Sequence, residues 1–297
     1  RGFHEHTQHP IEASDFLLRP DRPDLRPYLD RYLRWLLRNR QNTLTFHLLK
    51  TVDLDTWLPW IAGVVAEARE LGITVGAVVS FADQQQHAYR LIDDAARDPA
   101  TGLPVAADAQ IRSNLSRLLS SGFGLIGLQI GTSEFTKPAD AEVMGWLEVA
   151  LDELRTRFPA VRPFAWIHTT CGLLADDDTP FYHLPGRAPA DLGAFVHTTM
   201  FYHLDSPAPV YGCDSFALQK EFLAEQSGRR ELVYFPETAW WLGFDNNLPL
   251  ALPITGRTRE HDLRQSLDGL PGEGHVTFTT GREWGYWQYD HSLTQAT

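Results

Sequence analysis

Short apolar runs alternate with longer amphipathic stretches along the whole chain. The first β-like run is Gly2–Thr7. After a polar, proline-containing loop, Leu25, Leu29, Tyr32, Leu33 and Leu36 recur at helical spacing and predict a helix over Leu25–Arg40. Thr43–Leu49 is the second run. Leu54–Leu71 reads as a helix with Trp57, Ile61, Val64, Val65 and Ala68 on one face, and Gly72 stands where a terminator belongs. Ile73–Phe81 is the third run, β-branched and buried in character. A long helical region is expected next, interrupted by a turn at Asp98–Leu103, resuming over Gln110–Ser120 and closed by Gly122. Gly124–Gly131 is the fourth run. Pro138 and Asp140 then open a helix reaching Arg157, with proline well placed in a first turn. Pro163–Thr169 is the fifth run and Ala194–Tyr202 the sixth, with irregular chain over Thr170–Ala190 between them. A loop carrying Pro207, Pro209 and Gly212 leads to a helix over Asp214–Gln226 and then to a seventh run, Leu232–Pro236. The long loop Trp240–Gly256 and a short helix near Arg259–Leu267 precede the eighth run, His275–Thr280.

Eight runs, mostly separated by helices, predict an α/β fold: a TIM-type (β/α)8 barrel of parallel strands. The chain has 297 residues, within the range that one such barrel fills, so a single domain over 1–297 is expected. The final helix is expected to be short or missing. An open doubly wound sheet competes, but no GxGxxG or P-loop follows an early strand.

Charge narrows the partners. Asp and Glu number 38 against 26 Lys and Arg, a net charge of −12. Phosphate binding needs a basic stripe, so neither nucleic acid nor an anionic membrane surface is expected as a partner. No run of about 20 apolar residues is present to span a bilayer. No signal peptide is visible in the chain, which begins at Arg1; a processed form or an excised piece is compatible with this, and so is a secreted or periplasmic protein. Nothing in the sequence sets an oligomeric state. Cys171 and Cys213 fit no zinc spacing; one structural disulfide or two inert buried thiols are expected in preference to a catalytic thiol. Aromatic residues make up 11%, with nine Trp, and histidines number 12. An aromatic core accounts for at least half of these rings. The remainder suits sugar binding, where ring faces stack on pyranose C–H faces.

In such a barrel the active site sits at the C-terminal ends of the strands. Ionisable residues gather there in this sequence. His4, Glu5 and His6 close the first run, His47 the second, and His168 the fifth. Tyr202 and His203 close the sixth, and Arg282, Glu283 and Trp284 follow the eighth. Glu134 follows the fourth run and Glu237 the seventh, and strands four and seven face each other across an eight-stranded barrel. Two carboxylates so placed can flank a glycosidic bond, one protonating the leaving oxygen and the other attacking the anomeric carbon or activating water.

This layout resembles the retaining glycoside hydrolases whose barrels carry the acid/base after strand four and the nucleophile after strand seven. That group usually has Asn before the strand-four Glu, where this chain has Ser133. It also carries Trp after strand eight and Tyr or His after strand six, positions matched by Trp284, Tyr202 and His203. The resemblance implies hydrolysis of an O-glycosidic bond in an oligo- or polysaccharide, without cofactor or metal. Glu134 would be the acid/base and Glu237 the nucleophile, with Tyr202 setting its orientation. His4, His6, His47, His168, His203, Trp240, Asp245, Glu283 and Trp284 would line the sugar site. In the loop 240–247 the paired Trp, with Asp245 and Asn246, form a plausible saccharide platform.

Two other readings stay open. His4-Glu5-His6 places two imidazoles on one strand face, and with His168 and His203 it resembles the metal-dependent amidohydrolase barrels. Those also carry an Asp ending strand eight and often a Lys on strand four; here the nearest are Asp290 and Lys137. The third reading is a barrel that binds polysaccharide without turnover. Asp176-Asp177-Asp178 lacks the alternation of an EF-type calcium loop and reads as a solvated acidic stretch. No Gly-x-Ser-x-Gly elbow is present.

Overall fold

The computed structural model describes residues 1–8, 12–200, 202–237, 253–266, 274–279, 291 and 294–295. Trp240, Asp245, Glu283 and Trp284, and the stretch where the final helix is expected, lie outside the described residues or largely so.

The elements in chain order are β1 (Gly2–Glu5), α1 (Glu12–Leu18), α2 (Arg26–Arg38), β2 (Thr43–His47), α3 (Leu54–Glu70), β3 (Thr74–Ser80), α4 (Ala107–Leu119), β4 (Leu125–Gln129), α5 (Asp140–Arg157), β5 (Arg162–Ile167), β6 (Gly193–Thr198), β7 (Pro207–Val210), β8 (Cys213–Ser215), α6 (Ala217–Gln226), β9 (Leu232–Pro236), α7 (Pro253–His261) and β10 (Gly274–Thr279). The strands β1-β10-β9-β6-β5-β4-β3-β2 pair in that order, all in parallel, and close into a barrel of eight. The expected TIM-type barrel is therefore the observed fold, with β9 and β10 as its seventh and eighth strands. Among the described residues no helix is long and apolar enough to cross a membrane.

Alternation along the strands divides the core in two. Val78, Leu125, Phe164, Trp166, Phe195, Val233, Phe235, Val276 and Phe278 form the interior of the barrel. Their neighbours one position along, among them Phe46, Ala77, Leu128, Ala165 and Val196, face outward into the layer shared with the helices. Leu29, Leu33 and Leu36 of α2 and Trp57, Ile61, Val64, Val65 and Ala68 of α3 fill that layer from the other side. Asp53 caps α3 by accepting from the Asp55 N–H at 3.1 Å, and Gly72, at φ +73°, ends it.

Several expectations are corrected. The stretch after β3 is not helical before Ala107. Asp93 and Asp98 turn it instead by accepting backbone N–H bonds from Ala95, Ala100 and Thr101, and Gln110 binds both the N–H and the carbonyl of Asp93. Side chains that compete for backbone hydrogen bonds override the weak helical period there. The sixth strand stops at Thr198, so Tyr202 and His203 lie on the loop beyond it, and His168 is one residue past β5. The stretch 207–213, expected as a loop, and Asp214 and Ser215, expected to begin the next helix, form the antiparallel hairpin β7–β8 instead, and that helix starts at Ala217. The hairpin's two-residue turn, Tyr211-Gly212, has φ +49° and +76°, the signature that suits a tight hairpin. A Cys171–Cys213 disulfide fastens this hairpin to the loop after β5. That settles the cysteine alternatives in favour of the structural bond.

Candidate active site

Among the described residues, a cleft of about 470 Å³ opens at the C-terminal end of the barrel. Its walls come from the ends of at least six strands, including His6, Gln129, Glu134, Trp166, His168, His197 and Glu237. Glu134 and Glu237 are both among the lining residues.

Glu134 sits on a tight turn. The Thr132 and Ser133 N–H groups both donate to the Thr136 carbonyl, at 3.2 and 3.3 Å, and the Ser133 hydroxyl accepts from the Phe135 N–H. The Tyr182 hydroxyl donates to the Ser133 carbonyl at 3.0 Å. A Cβ on Gly131 would stand 2.2 Å from that hydroxyl, so glycine is needed for Tyr182 to reach the turn. The Glu134 carboxylate accepts from the side-chain amides of Gln85 and, at 3.5 Å, Gln86.

Glu237 is held differently. It follows Pro236, donates its backbone N–H to the Thr198 carbonyl at 2.9 Å, and is only 6% exposed. Its carboxylate accepts from the Met200 N–H and lies 3.3 Å from His197 Nε2. Met200 has φ +59°, a sparsely populated conformation for a non-glycine residue. That conformation persists because both ends of the residue are bonded: the N–H to Glu237 and the carbonyl to Arg259 at 2.7 Å.

His197 is buried, and desolvation, followed by the Arg259 charge, pushes its pKa down to about 3. The contact with Glu237 is thus between a neutral imidazole and a carboxylate rather than an ion pair. Trp166 stands at the centre, its ring 4.8 Å from Phe235 and 5.0 Å from His197. Its indole N–H has no acceptor among the described residues, and neither has Gln129 Oε1 a donor. Tyr211, at the tip of the β7–β8 hairpin, packs on His168 with ring centroids 5.1 Å apart. Burial first, then the charges of Glu237 and Glu134, push its hydroxyl pKa up.

The sequence-derived candidates fall into three groups. His6, His168, Glu134 and Glu237 line the cleft. His4 and His47 lie beneath it, fully buried and joined by a 2.9 Å hydrogen bond, with Thr45 on the other His4 nitrogen at 3.0 Å. Tyr202 and His203 are absent from the lining: Tyr202 packs against the Leu204–Phe216–Tyr234 cluster, and His203 approaches His261. The four histidines of the metal-hydrolase reading are not assembled as one ligand set. His4 and His6 group with His47, whereas His203 groups with Asp205 and His261. Both His4 nitrogens are already committed to Thr45 and His47, which does not fit a metal on that ring.

Trp166, His197, Gln129, Tyr182 and Tyr211 are additions that the structure makes to the site. The first two carry a signal in the sequence. Inward positions recur every second residue, so Phe164-Trp166-His168 and Phe195-His197 point where Val233-Phe235-Glu237 points. The two tyrosines come from irregular segments and carry none.

The buried imidazoles carry a pH expectation. Burial lowers the pKa of His4 and His168 well below the ordinary value, and that of His197 and His275 to about 3. At His197 and His275 the unfolded chain therefore binds protons below about pH 6.5 that the folded chain refuses until about pH 3. Stability is full above that window and falls through it by roughly 1.4 kcal/mol per pH unit for each such ring. Denaturant midpoints measured from about pH 7 down to about pH 4 should drop steadily; a flat profile would contradict neutral buried rings.

No family model and no curated protein matches the chain. Solved structures do. A GH138 enzyme targeting pectin rhamnogalacturonan II aligns with a TM-score of 0.59 at 12% identity, covering 99% of this chain and 38% of that one. PbGH5A, a glycoside hydrolase family 5 enzyme from Prevotella bryantii B14, aligns at 0.57 and 8% identity over 99% and 95% of the two chains. A GH5-4 broad-specificity endoglucanase from an uncultured bacterium aligns at 0.59 and 8% identity over 99% and 93%. The chain thus spans little more than a third of the GH138 enzyme and nearly all of the family 5 enzymes. At these identities the likeness establishes the fold: this chain shares the parallel barrel on which those glycoside hydrolases are built.

Proposed function

We propose that this chain hydrolyses an O-glycosidic bond of an oligo- or polysaccharide, with Glu134 as acid/base and Glu237 as nucleophile. The observation that carries the reading is one cleft, at the catalytic end of a barrel, lined by both carboxylates. Their surroundings differ. Glu134 is half-buried on a turn open to the cleft and hydrogen-bonded to neutral amides. Glu237 is buried, and the Met200 N–H fixes one oxygen. In the first step Glu237 bonds to the anomeric carbon as the C–O bond to the leaving group breaks, and Glu134 gives that oxygen its proton. In the second, water attacks the same carbon, Glu134 takes the water's proton, and Glu237 is released. Trp166, His6 and His168 would hold the sugar ring, with Gln84, Gln86 and Gln129 on its hydroxyls. The related folds include an enzyme solved in complex with a xyloglucan tetradecasaccharide, which makes neutral plant glucans and pectic oligosaccharides sensible first substrates.

The test is incubation of the purified chain with such glycans, following new reducing ends and, by proton NMR, the configuration of the first product. Release of sugar with retained configuration is expected. Inverted product would remove the nucleophile role from Glu237; tight glycan binding with no new reducing ends would make the protein a binding barrel instead.

A further inference from the structure

A second cluster of ligand-type side chains lies outside the cleft. His203, Asp205 and His261 offer three donor atoms that all lie within 4.8 Å of one another. The two imidazole rings stand 4.5 Å apart, tilted by 36°. Nδ1 of each is buried and has no hydrogen-bond partner among the described residues. A buried ring nitrogen left unpaired is costly, and two of them on rings clustered with a carboxylate call for a shared cation.

The backbone around the cluster is unusually well fixed. His203 and Asp205 lie two residues apart on a turn closed by Ser206, whose N–H and hydroxyl both donate to the His203 carbonyl, at 3.1 and 3.0 Å. The Leu204 N–H between them donates to Asp262 Oδ1 at 2.8 Å, and Asp262 is the residue after His261. Arg259, one turn earlier, donates to the Tyr202 carbonyl at 2.9 Å and pairs with Asp262 at 2.8 Å. One buried Arg–Asp pair therefore ties the turn to the end of α7 and sets His203 beside His261. Outer contacts of this kind are what hold metal ligands in place.

From this juxtaposition we propose that His203, Asp205 and His261 form a binding site for a divalent transition-metal ion, Zn²⁺ in the first instance. Two imidazoles and a carboxylate suit zinc, and three protein ligands leave a fourth position for water. Ligand atoms around tetrahedral zinc stand roughly 3.3 Å apart, so rotations closing about 1.5 Å suffice. Asp205 is exposed and holds Lys220 at 2.7 Å. Zinc would share or displace that lysine. A bound zinc would clamp the turn that follows Met200, the residue bonded to Glu237, but the proposal does not depend on the glycosidase reading.

The experiment uses the full chain, stripped with chelator and desalted, then titrated with zinc chloride by calorimetry and by equilibrium dialysis with elemental analysis. A zinc ion per chain is expected that His203→Ala and His261→Ala each remove or weaken by at least about 100-fold, while His6→Gln at the barrel mouth keeps it. Because a variant can misfold, the wild-type protein is also followed by histidine ¹⁵N NMR; zinc should shift the His203 and His261 ring nitrogens. Cobalt substituted for zinc should show ligand-field bands without thiolate charge transfer, since both cysteines are in the disulfide. No stoichiometric uptake by the folded wild type would overturn the proposal. So would uptake that survives both alanine variants, or ring shifts confined to His4, His6 and His47.

Discussion

Glu237→Gln is expected to lower glycan turnover by about 10³- to 10⁵-fold while leaving the fold intact. The amide is isosteric, so the Met200 N–H keeps an oxygen acceptor and the neutral His197 ring keeps a polar neighbour. What is lost is the negative charge that must bond to the anomeric carbon as the leaving group departs. Glu134→Gln should behave differently. A general acid contributes typically about 10²–10⁴-fold, and its loss is felt most when the leaving oxygen is basic. Natural glycans should therefore suffer strongly, whereas an aryl glycoside with an acidic phenol should be cleaved nearly as fast in its first step. Initial rates on both substrate types, with denaturant midpoints as a folding control, separate the roles. Turnover within a few-fold of wild type for both variants would end the assignment.

The second large effect concerns stability. Asp262→Ala is expected to cost about 3–5 kcal/mol, measured by denaturant unfolding. Arg259 and Asp262 are both completely buried, 2.8 Å apart. Asp262 also accepts from the Tyr234 hydroxyl at 2.6 Å and the Leu204 N–H at 2.8 Å. Removing the carboxylate leaves a guanidinium charge, a phenol and a backbone N–H without it in a site that water does not reach. The double variant Arg259→Met with Asp262→Leu should cost less than the single one, because an apolar pair leaves no buried charge behind. The same change should reach catalysis. Arg259 holds the Met200 carbonyl, and the strained Met200 conformation is what aims its N–H at Glu237. A cost below about 1 kcal/mol for Asp262→Ala would mean that the pair is solvated in solution.

How far the sequence reaches can be judged strand by strand. A barrel strand reads clearly because its alternate positions are both buried, one set inside the barrel and one under the helices. That is why Thr43–His47, Leu232–Pro236 and their partners are legible to within a few residues. Tyr202 and His203 are harder to place because the apolar character of the sixth run continues past Thr198 into a loop whose Met200, Tyr202 and Leu204 pack on a small apolar cluster. The hairpin at 207–215 is hidden by its prolines, which a two-stranded ribbon tolerates on its outer edges.

The sequence by itself determined the barrel and put Glu134 and Glu237 after its fourth and seventh strands, because both follow from periodicity and strand count, which are local. Only the tertiary structure decided that His4 bonds to His47 rather than to a ligand, that Met200 and His197 hold Glu237, and that Cys171 reaches Cys213. It alone brought His203 to His261, far along the chain, through a buried Arg–Asp pair. Those are contacts between side chains distant in sequence, and no period along the chain encodes which distant ring or carboxylate will share a buried space.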